Sequence, residues 1–333
     1  MITEEMKKKI LALYEEEKVF SNLAYTLMEE FGVGSHRTAR RYVSKIINGS
    51  EFSEPFMDSD KKEGIFSWRQ AVDYVQEGQR LFDKAKSHQS HGVVLIDTKE
   101  PIYVMALGDA HFGSWGTDYN VLKAITDEII NTPNLYVILL GDLLQMSIKM
   151  RNMLEISDNA LPPKYQFMLL DSWLDEIKHK VICSTWDNHS VMREEAVTGY
   201  SKYSEIFEKV TMYFNGIGHL DLQVGQQLYK FALAHFFRGY SIDNPCHGGM
   251  RYMRRNAIDR EIAMAGDSHI PGFIKYTDGE KTRCVVNSGT AQLNSGYAKR
   301  FFSLHTHPVF PIIKLDPNVH DFTPFWNLKE AFQ

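Results

Sequence analysis

Apolar residues follow one rhythm up to about residue 85 of this 333-residue chain and another from about residue 93. In the first part the spacing is helical. Ile10, Leu11, Leu13 and Tyr14 form one stripe, and a second helix is expected from Leu23 to Phe31, ending at Gly32. Ser35 is placed to cap a third, running through Ile47. Asn48 to Gly64, with Gly49, Pro55 and several charges, reads as a linker. Ala71, Val72, Val75, Leu81, Phe82 and Ala85 then give Trp68 to Ala85 an apolar helical face suited to packing on a larger domain. His88 and His91 follow in a polar stretch and read as loop residues.

From Val93 onward, short unbroken apolar runs alternate with helical patterns, the latter at Asn120 to Ile130, Pro163 to Lys178 and Ser201 to Phe207. Runs that do not alternate with polar residues predict strands buried on both faces, and their interleaving with helices predicts an α/β domain. Five runs end alike. Val104 to Leu107 leads into Gly108-Asp109-Ala110-His111; Leu135 to Leu140 into Gly141-Asp142; Val181 to Cys183 through Ser184 and Thr185 into Trp186-Asp187-Asn188-His189; Phe231 to Ala234 into His235; Ile262 to Ala265 into Gly266-Asp267-Ser268-His269. In sheets of this kind ligands gather beyond the carboxyl ends of the strands.

Asp109, His111, Asp142, Asn188, His235, Asp267 and His269 are therefore seven candidate metal ligands at strand ends. A single Asp-x-His is weak evidence, and a lone buried histidine is more often a satisfied core residue. Five such ends in one chain are much harder to obtain by chance. Seven ligands suit two divalent ions about 3.5 to 4 Å apart, the arrangement used in phosphoester hydrolysis. His219 competes with His235 but precedes a strand; His247 and the pair His305 and His307 read as loop residues near the site. Arg193, Arg238, Arg254 and Arg255 are either phosphate-gripping or structural arginines.

Charge changes the picture only locally. The formal net charge is −5, so the molecule as a whole has no bulk attraction for nucleic acid. From Ser35 to Ile47, however, Arg37, Arg40, Arg41 and Lys45 stand against no acidic residue. A helix, a short glycine-containing turn and a basic helix resemble a helix-turn-helix, which serves either DNA contact or protein contact and self-association. Cys183, Cys246 and Cys284 suit buried thiols in a reducing cytoplasm, no apolar run is long enough for a membrane span, and the first residues lack the order of a signal peptide.

The five strand ends, taken in order, resemble the calcineurin-like metallophosphoesterases, whose pattern is Asp-x-His, Gly-Asp, Gly-Asn-His-acid, a lone His and Gly-His-x-His. The resemblance covers about residues 100 to 315. It implies a double β-sandwich flanked by helices at 93–333, preceded by a connecting segment at 51–92 and the small all-α module at 1–50. It also implies Asp109, His111 and His269 on one metal, Asp142 bridging, and Asn188, His235 and Asp267 on the other, with Asp142 and His189 carrying catalysis. Departures stand at Gln145, Asp187, Ser190 and Asp267. Asp267 replaces an imidazole, which makes one site oxygen-rich and favours manganese or magnesium over zinc, with iron(II) also admitted.

The turn Asn287-Ser288-Gly289-Thr290 and the later Tyr297-Ala298-Lys299 resemble, more loosely, phage-encoded phosphoesterases of the DNA-repair exonuclease type. The reading that follows is a two-metal phosphodiesterase acting on DNA. A phosphatase or cyclic-nucleotide phosphodiesterase for small substrates, and a DNA-binding regulator on an inactive scaffold, stay open beside it.

Overall fold

A computed structural model describes residues 2–17, 20–49, 67–85, 89–148, 156–239, 241, 243–293 and 308–333. Most of the expected linker, and His88, Tyr297, Lys299, His305 and His307, lie outside the described residues. The chain divides into two compact units, Met1–Lys86 and Ser87–Gln333.

The smaller unit holds α1 (Glu4–Glu17), α2 (Phe20–Phe31) and α3 (His36–Asn48), packed around Ile10, Leu23, Leu27, Ala39 and Val43. The turn into α3 forms as its residues dictate: Gly32 adopts the left-handed region, and Ser35 Oγ accepts the backbone N–H of Thr38 at 3.2 Å. Arg37, Arg41 and Lys45 recur every four residues and are exposed, on the face opposite buried Ala39 and Val43. Arg40 is half-buried and stands off that stripe. α4 (Trp68–Ala85) is a helix as expected, and every described side chain from Trp68 to Arg80 is exposed.

The larger unit is built on two six-stranded sheets. One is ordered β12 (Phe322–Phe325), β11 (Ile312–Leu315), β2 (Ile102–Leu107), β3 (Leu135–Leu139), β4 (Val181–Thr185), β5 (Met212–Phe214). The other is ordered β1 (His91–Ile96), β6 (Gly218–Val224), β7 (Gln227–Leu233), β8 (Ile262–Ala265), β10 (Lys281–Asn287), β9 (Gly272–Asp278). β1 begins at His91, which pairs with Asp221 across 3.2 Å, so this histidine belongs to a strand and not to a loop.

Strand geometry explains why the runs are apolar throughout. In β2, Ile102, Val104 and Ala106 face the opposing sheet, while Tyr103, Met105 and Leu107 face a helical layer. That layer holds α5 (Tyr119–Asn131), α6 (Pro163–Ile177), α7 (Val191–Thr198) and α8 (Lys202–Val210). In β8, Ile262 and Met264 point inward while Ala263 and Ala265 pack toward α9 (His247–Arg255). Two faces buried per strand give a four-layer sandwich flanked by helices, the expected fold class.

The helix at α9 is a correction, because His247-Gly248-Gly249 has the composition of a loop. A Cβ at Gly248 would lie 2.6 Å from the Phe237 carbonyl oxygen, and one at Gly249 would lie 2.7 Å from Val285 Cγ1. The glycines admit the helix close to the sheet. Among the described residues no helix is long and apolar enough to cross a membrane, and all three cysteines are buried and unbridged.

Candidate metal centre

β2, β3 and β4 run parallel in one sheet, and β7 and β8 run parallel in the other. All seven candidate ligands follow the carboxyl ends of these strands. The loops after β2 and β3 are joined side by side: Asp109 N–H donates to the Gly141 carbonyl (3.0 Å), His111 N–H to that of Asp142 (3.1 Å) and Phe112 N–H to that of Leu143 (2.7 Å).

The backbone at these ends is strained. Asp109, His111, Asp142, Asp267 and His269 all have φ between 48° and 67°, where residues bearing a Cβ are uncommon; Met146 is the only other such residue described. Each costs about 1–3 kcal/mol and is retained only where the surroundings enforce it. The segments Asp109-Ala110-His111 and Asp267-Ser268-His269 thus repeat one backbone shape at the ends of two different sheets.

Two tight donor sets result, Asp109 with His111 and His269, and Asp109 with Asp142 and His235. In the first, the Nε2 atoms of His111 and His269 lie 3.1 Å apart, and His269 Nε2 is 3.3 Å from Asp109 Oδ1. In the second, His235 Nε2 is 3.3 Å from Asp142 Oδ2 and 3.5 Å from Asp267 Oδ1. The carboxylate common to both sets is Asp109, where the resemblance gives the shared position to Asp142. Asp267 adjoins the second set without being part of it. Asn188 adjoins it too: its amide donates to Asp267 Oδ1 at 3.1 Å, leaving its own Oδ1 buried.

The second ring nitrogens and backbone amides fix these groups. His235 Nδ1–H donates to the Leu140 carbonyl at 2.7 Å, which directs Nε2 to the carboxylates. Asp142 N–H donates to Asp187 Oδ2 (3.1 Å), and Asp187 Oδ1 accepts from Ser190 N–H (2.7 Å) and Val191 N–H (2.9 Å) at the start of α7 (Val191–Thr198). Asp187, which departs from the family pattern, therefore braces the Asp142 loop. Gly108 N–H donates to Ser288 Oγ (2.9 Å), and Thr290 Oγ1 donates to the Asp109 carbonyl (2.7 Å), so the turn after β10 supports the first ligand.

Whether this site suits cations can be judged from what its atoms lack. His111 Nδ1 and Asn188 Oδ1 are buried with no hydrogen-bond partner, and Asp109 Oδ1 and His235 Nε2 are buried with only contacts of 3.3 to 3.5 Å to other groups of the centre. Buried polar atoms are costly when unpaired. Burial, and then the Asp142 charge, push Asp187 up to about 7, and burial raises Asp267. Burial would lower His235, but Asp142, Asp109 and Asp267 outweigh it and hold the imidazole well above its ordinary value. Burial, with His189 and His269, holds His111 well below it. Crowded carboxylates, unpaired acceptors and imidazoles with one nitrogen turned inward fit divalent ions.

His189 stands beside the donor sets. Its Nδ1–H donates to the Gln145 carbonyl (2.9 Å), and Nε2 faces Arg193 Nη2 (3.3 Å) and Asp142 Oδ2 (3.6 Å). Burial, and more weakly Arg193, lower its pKa, with Asp142 opposing. His219 instead contacts the Tyr252 hydroxyl at 3.0 Å and is outside the centre, which leaves His235 as the lone histidine ligand candidate.

No protein-family model matches the chain, and no curated protein matches it in sequence. Among solved structures it is similar to the Thermus thermophilus protein TT1561, with 10% identity, a TM-score of 0.38 and coverage of 68% of this chain and 99% of that one. It is also similar to the calcineurin-like phosphoesterase YfkN from Bacillus subtilis, with 10% identity, a TM-score of 0.37 and coverage of 68% and 90%. Likeness at this level decides nothing about chemistry, which rests on the geometry of the centre.

Gly141→Ala tests that geometry. Gly141 has φ 85°, and a Cβ there would lie 2.7 Å from Asp187 Cβ and 2.9 Å from His235 Nδ1. The variant is expected to lose about 2 kcal/mol or more of stability, read as a lower Tm, together with its metal affinity. A variant with unchanged Tm and metal content would mean that the loop is not held as described.

Proposed function

We propose that this chain is a metal-dependent phosphodiesterase acting on nucleic acid, with its amino-terminal module recruiting DNA. The observation that carries the proposal is the pair of unsatisfied donor sets sharing Asp109, with a histidine outside both sets held against their edge. Asp109, His111 and His269 would hold one ion, and Asp142, Asn188, His235 and Asp267 the other. The ions would supply Lewis acidity and neutralise the charge of the phosphate.

The protein's own groups do the rest. The paired β2 and β3 loops keep the carboxylates fixed, so that little reorganisation is needed when a diester arrives. His189 is oriented by Gln145 so that Nε2 faces the reacting region. An anionic phosphate beside it raises its proton affinity, and the imidazolium then donates to the departing oxygen. Strain at five ligand positions argues against an inert scaffold, which has no use for it. Three oxygen donors beside His235 favour manganese or magnesium over zinc.

Hydrolysis of methyl 4-nitrophenyl phosphate tests the reading. Turnover should require added divalent metal, be faster with manganese than with zinc, and stop with chelator. Absence of turnover with manganese, magnesium, iron(II) and zinc would refute it.

The DNA-recruiting part rests on the stripe Arg37, Arg41 and Lys45. Replacing Arg37, Arg40 and Arg41 with alanine should lower the slope of log affinity against log salt by roughly one unit for each phosphate no longer neutralised. With Arg40 half-buried, the expected change is about two units and not three. An unchanged slope in a folded variant would assign the module to protein contact.

A further inference from the structure

A cavity of about 560 Å³ opens beside the metal centre, and His235 lines both. This volume lies in the range of ligand pockets, about 300–1,000 Å³. Trp186 and Phe236 form one wall, with ring centroids 6.2 Å apart and planes at 58°, and Tyr252 lies on α9. Arg238, Arg251 and Arg255 supply three guanidinium groups, and no carboxylate lines the cavity among the described residues.

The chain connects the two sites directly. Trp186 precedes the Asp187-Asn188-His189 segment, and Phe236 follows His235, so each ring is one or two residues from a candidate ligand on a different sheet. The backbone at Trp186 is anchored by its amide N–H donating to the Phe214 carbonyl at 2.8 Å. Arg251 and Arg255 are four residues apart on α9, hence on one face, and both are exposed. Their side chains show no ion pair among the described residues, unlike Arg254, which lies 3.8 Å from Asp278.

We infer that this cavity binds an unpaired nucleotide adjoining the scissile phosphate of a polynucleotide strand, with the base against Trp186 and Phe236 and a flanking phosphate on Arg238, Arg251 and Arg255. This rests on the phosphodiesterase reading and narrows its substrate. A base presents an apolar face at fixed distance from an anionic diester, and the cavity presents aromatic rings and guanidinium groups in the same alternation. A simple phosphomonoester has no group to place on the aromatic wall and no second anion for the arginines. A base pair within a duplex cannot offer its face to a pocket, so single strands or frayed ends are the form admitted.

The test uses the full chain and two substrates. The wild type, Trp186→Ala, Trp186→Phe and Arg251→Ala/Arg255→Ala are compared for kcat/KM on an oligo(dT) strand and on methyl 4-nitrophenyl phosphate, with manganese. Binding of fluorescein-labelled oligo(dT) is followed by anisotropy in chelator. The ratio of the two kcat/KM values should fall about tenfold or more in Trp186→Ala and in the double arginine variant, and recover in Trp186→Phe, with binding weakened in parallel.

An unchanged ratio and unchanged binding in both variants would overturn the inference, as would a wild type that hydrolyses the small diester but neither binds nor cleaves the oligonucleotide. Binding that disappears in the variants of a protein without any hydrolytic activity would separate the cases: the cavity would stand as a nucleotide site, and the phosphodiesterase reading would fall.

Discussion

Asp142→Asn is expected to reduce turnover by about three orders of magnitude or more, the scale on which metal-assisted displacement depends on its ligand carboxylates. The change is nearly isosteric, so its effects report charge and not shape. Asp142 Oδ1 accepts the His189 N–H at 3.0 Å, and Oδ2 faces His235 and His189. Burial opposes its ionisation, but His189 and His235 hold its pKa well below the usual carboxylate value. The same substitution relieves repulsion with Asp187 but gives up the attraction of His189 and His235 for the ionised carboxylate, so the metal-free variant should be somewhat less stable than wild type at neutral pH. It should also lose stabilisation by metal, which for a bound ion at a hundred times its Kd is about 2.7 kcal/mol. Wild-type turnover and an undiminished metal-induced rise in Tm would remove Asp142 from the centre.

His189→Ala should have the next largest effect and a different signature. Loss of a general acid costs about 10²–10⁴-fold. The loss should be large on a dinucleotide, whose departing alkoxide needs a proton, and much smaller on methyl 4-nitrophenyl phosphate, whose phenolate leaves unaided. Metal content should match wild type, because His189 is in neither donor set. Equal losses on both substrates would make His189 a positioning group for the phosphate and not the proton donor.

How much of this is legible in the chain depends on how local each cause is. The strands after which Asp109, Asp142, Asn188, His235 and Asp267 stand can be read because a strand buried on two faces has an apolar run with no alternation, and the run stops where the ligands begin. Ser35 can be read as a helix cap because capping is a contact within four residues. The helical character of His247–Arg255 cannot, since Gly248 and Gly249 owe their presence to Phe237 and Val285, contacts across the fold. His91 reads as a loop residue because its strand pairing is with β6, more than a hundred residues on.

Which strand ends carry candidate ligands can be read in the chain; the contacts among those ligands cannot. All seven candidate ligands converge, but the resemblance gives the shared position to Asp142, whereas Asp109 is the carboxylate common to both donor sets. Asp187 is visible in the sequence only as a departure from a pattern; its hydrogen bonds to Asp142, Ser190 and Val191 show its use. Arg251 carries no sequence signal at all, because its significance comes from sharing a helix face with Arg255 beside a cavity made by other strands. Trp186 and Phe236 do carry a signal, since each is an aromatic residue immediately flanking a ligand motif.

In crystals soaked with manganese and measured at its absorption edge, anomalous scattering locates the ions without reference to activity. Two peaks are expected about 3.5–4 Å apart, one against Asp109, His111 and His269 and the other against Asp142, Asn188, His235 and Asp267. A single peak, or peaks away from these side chains, would contradict the two-ion centre.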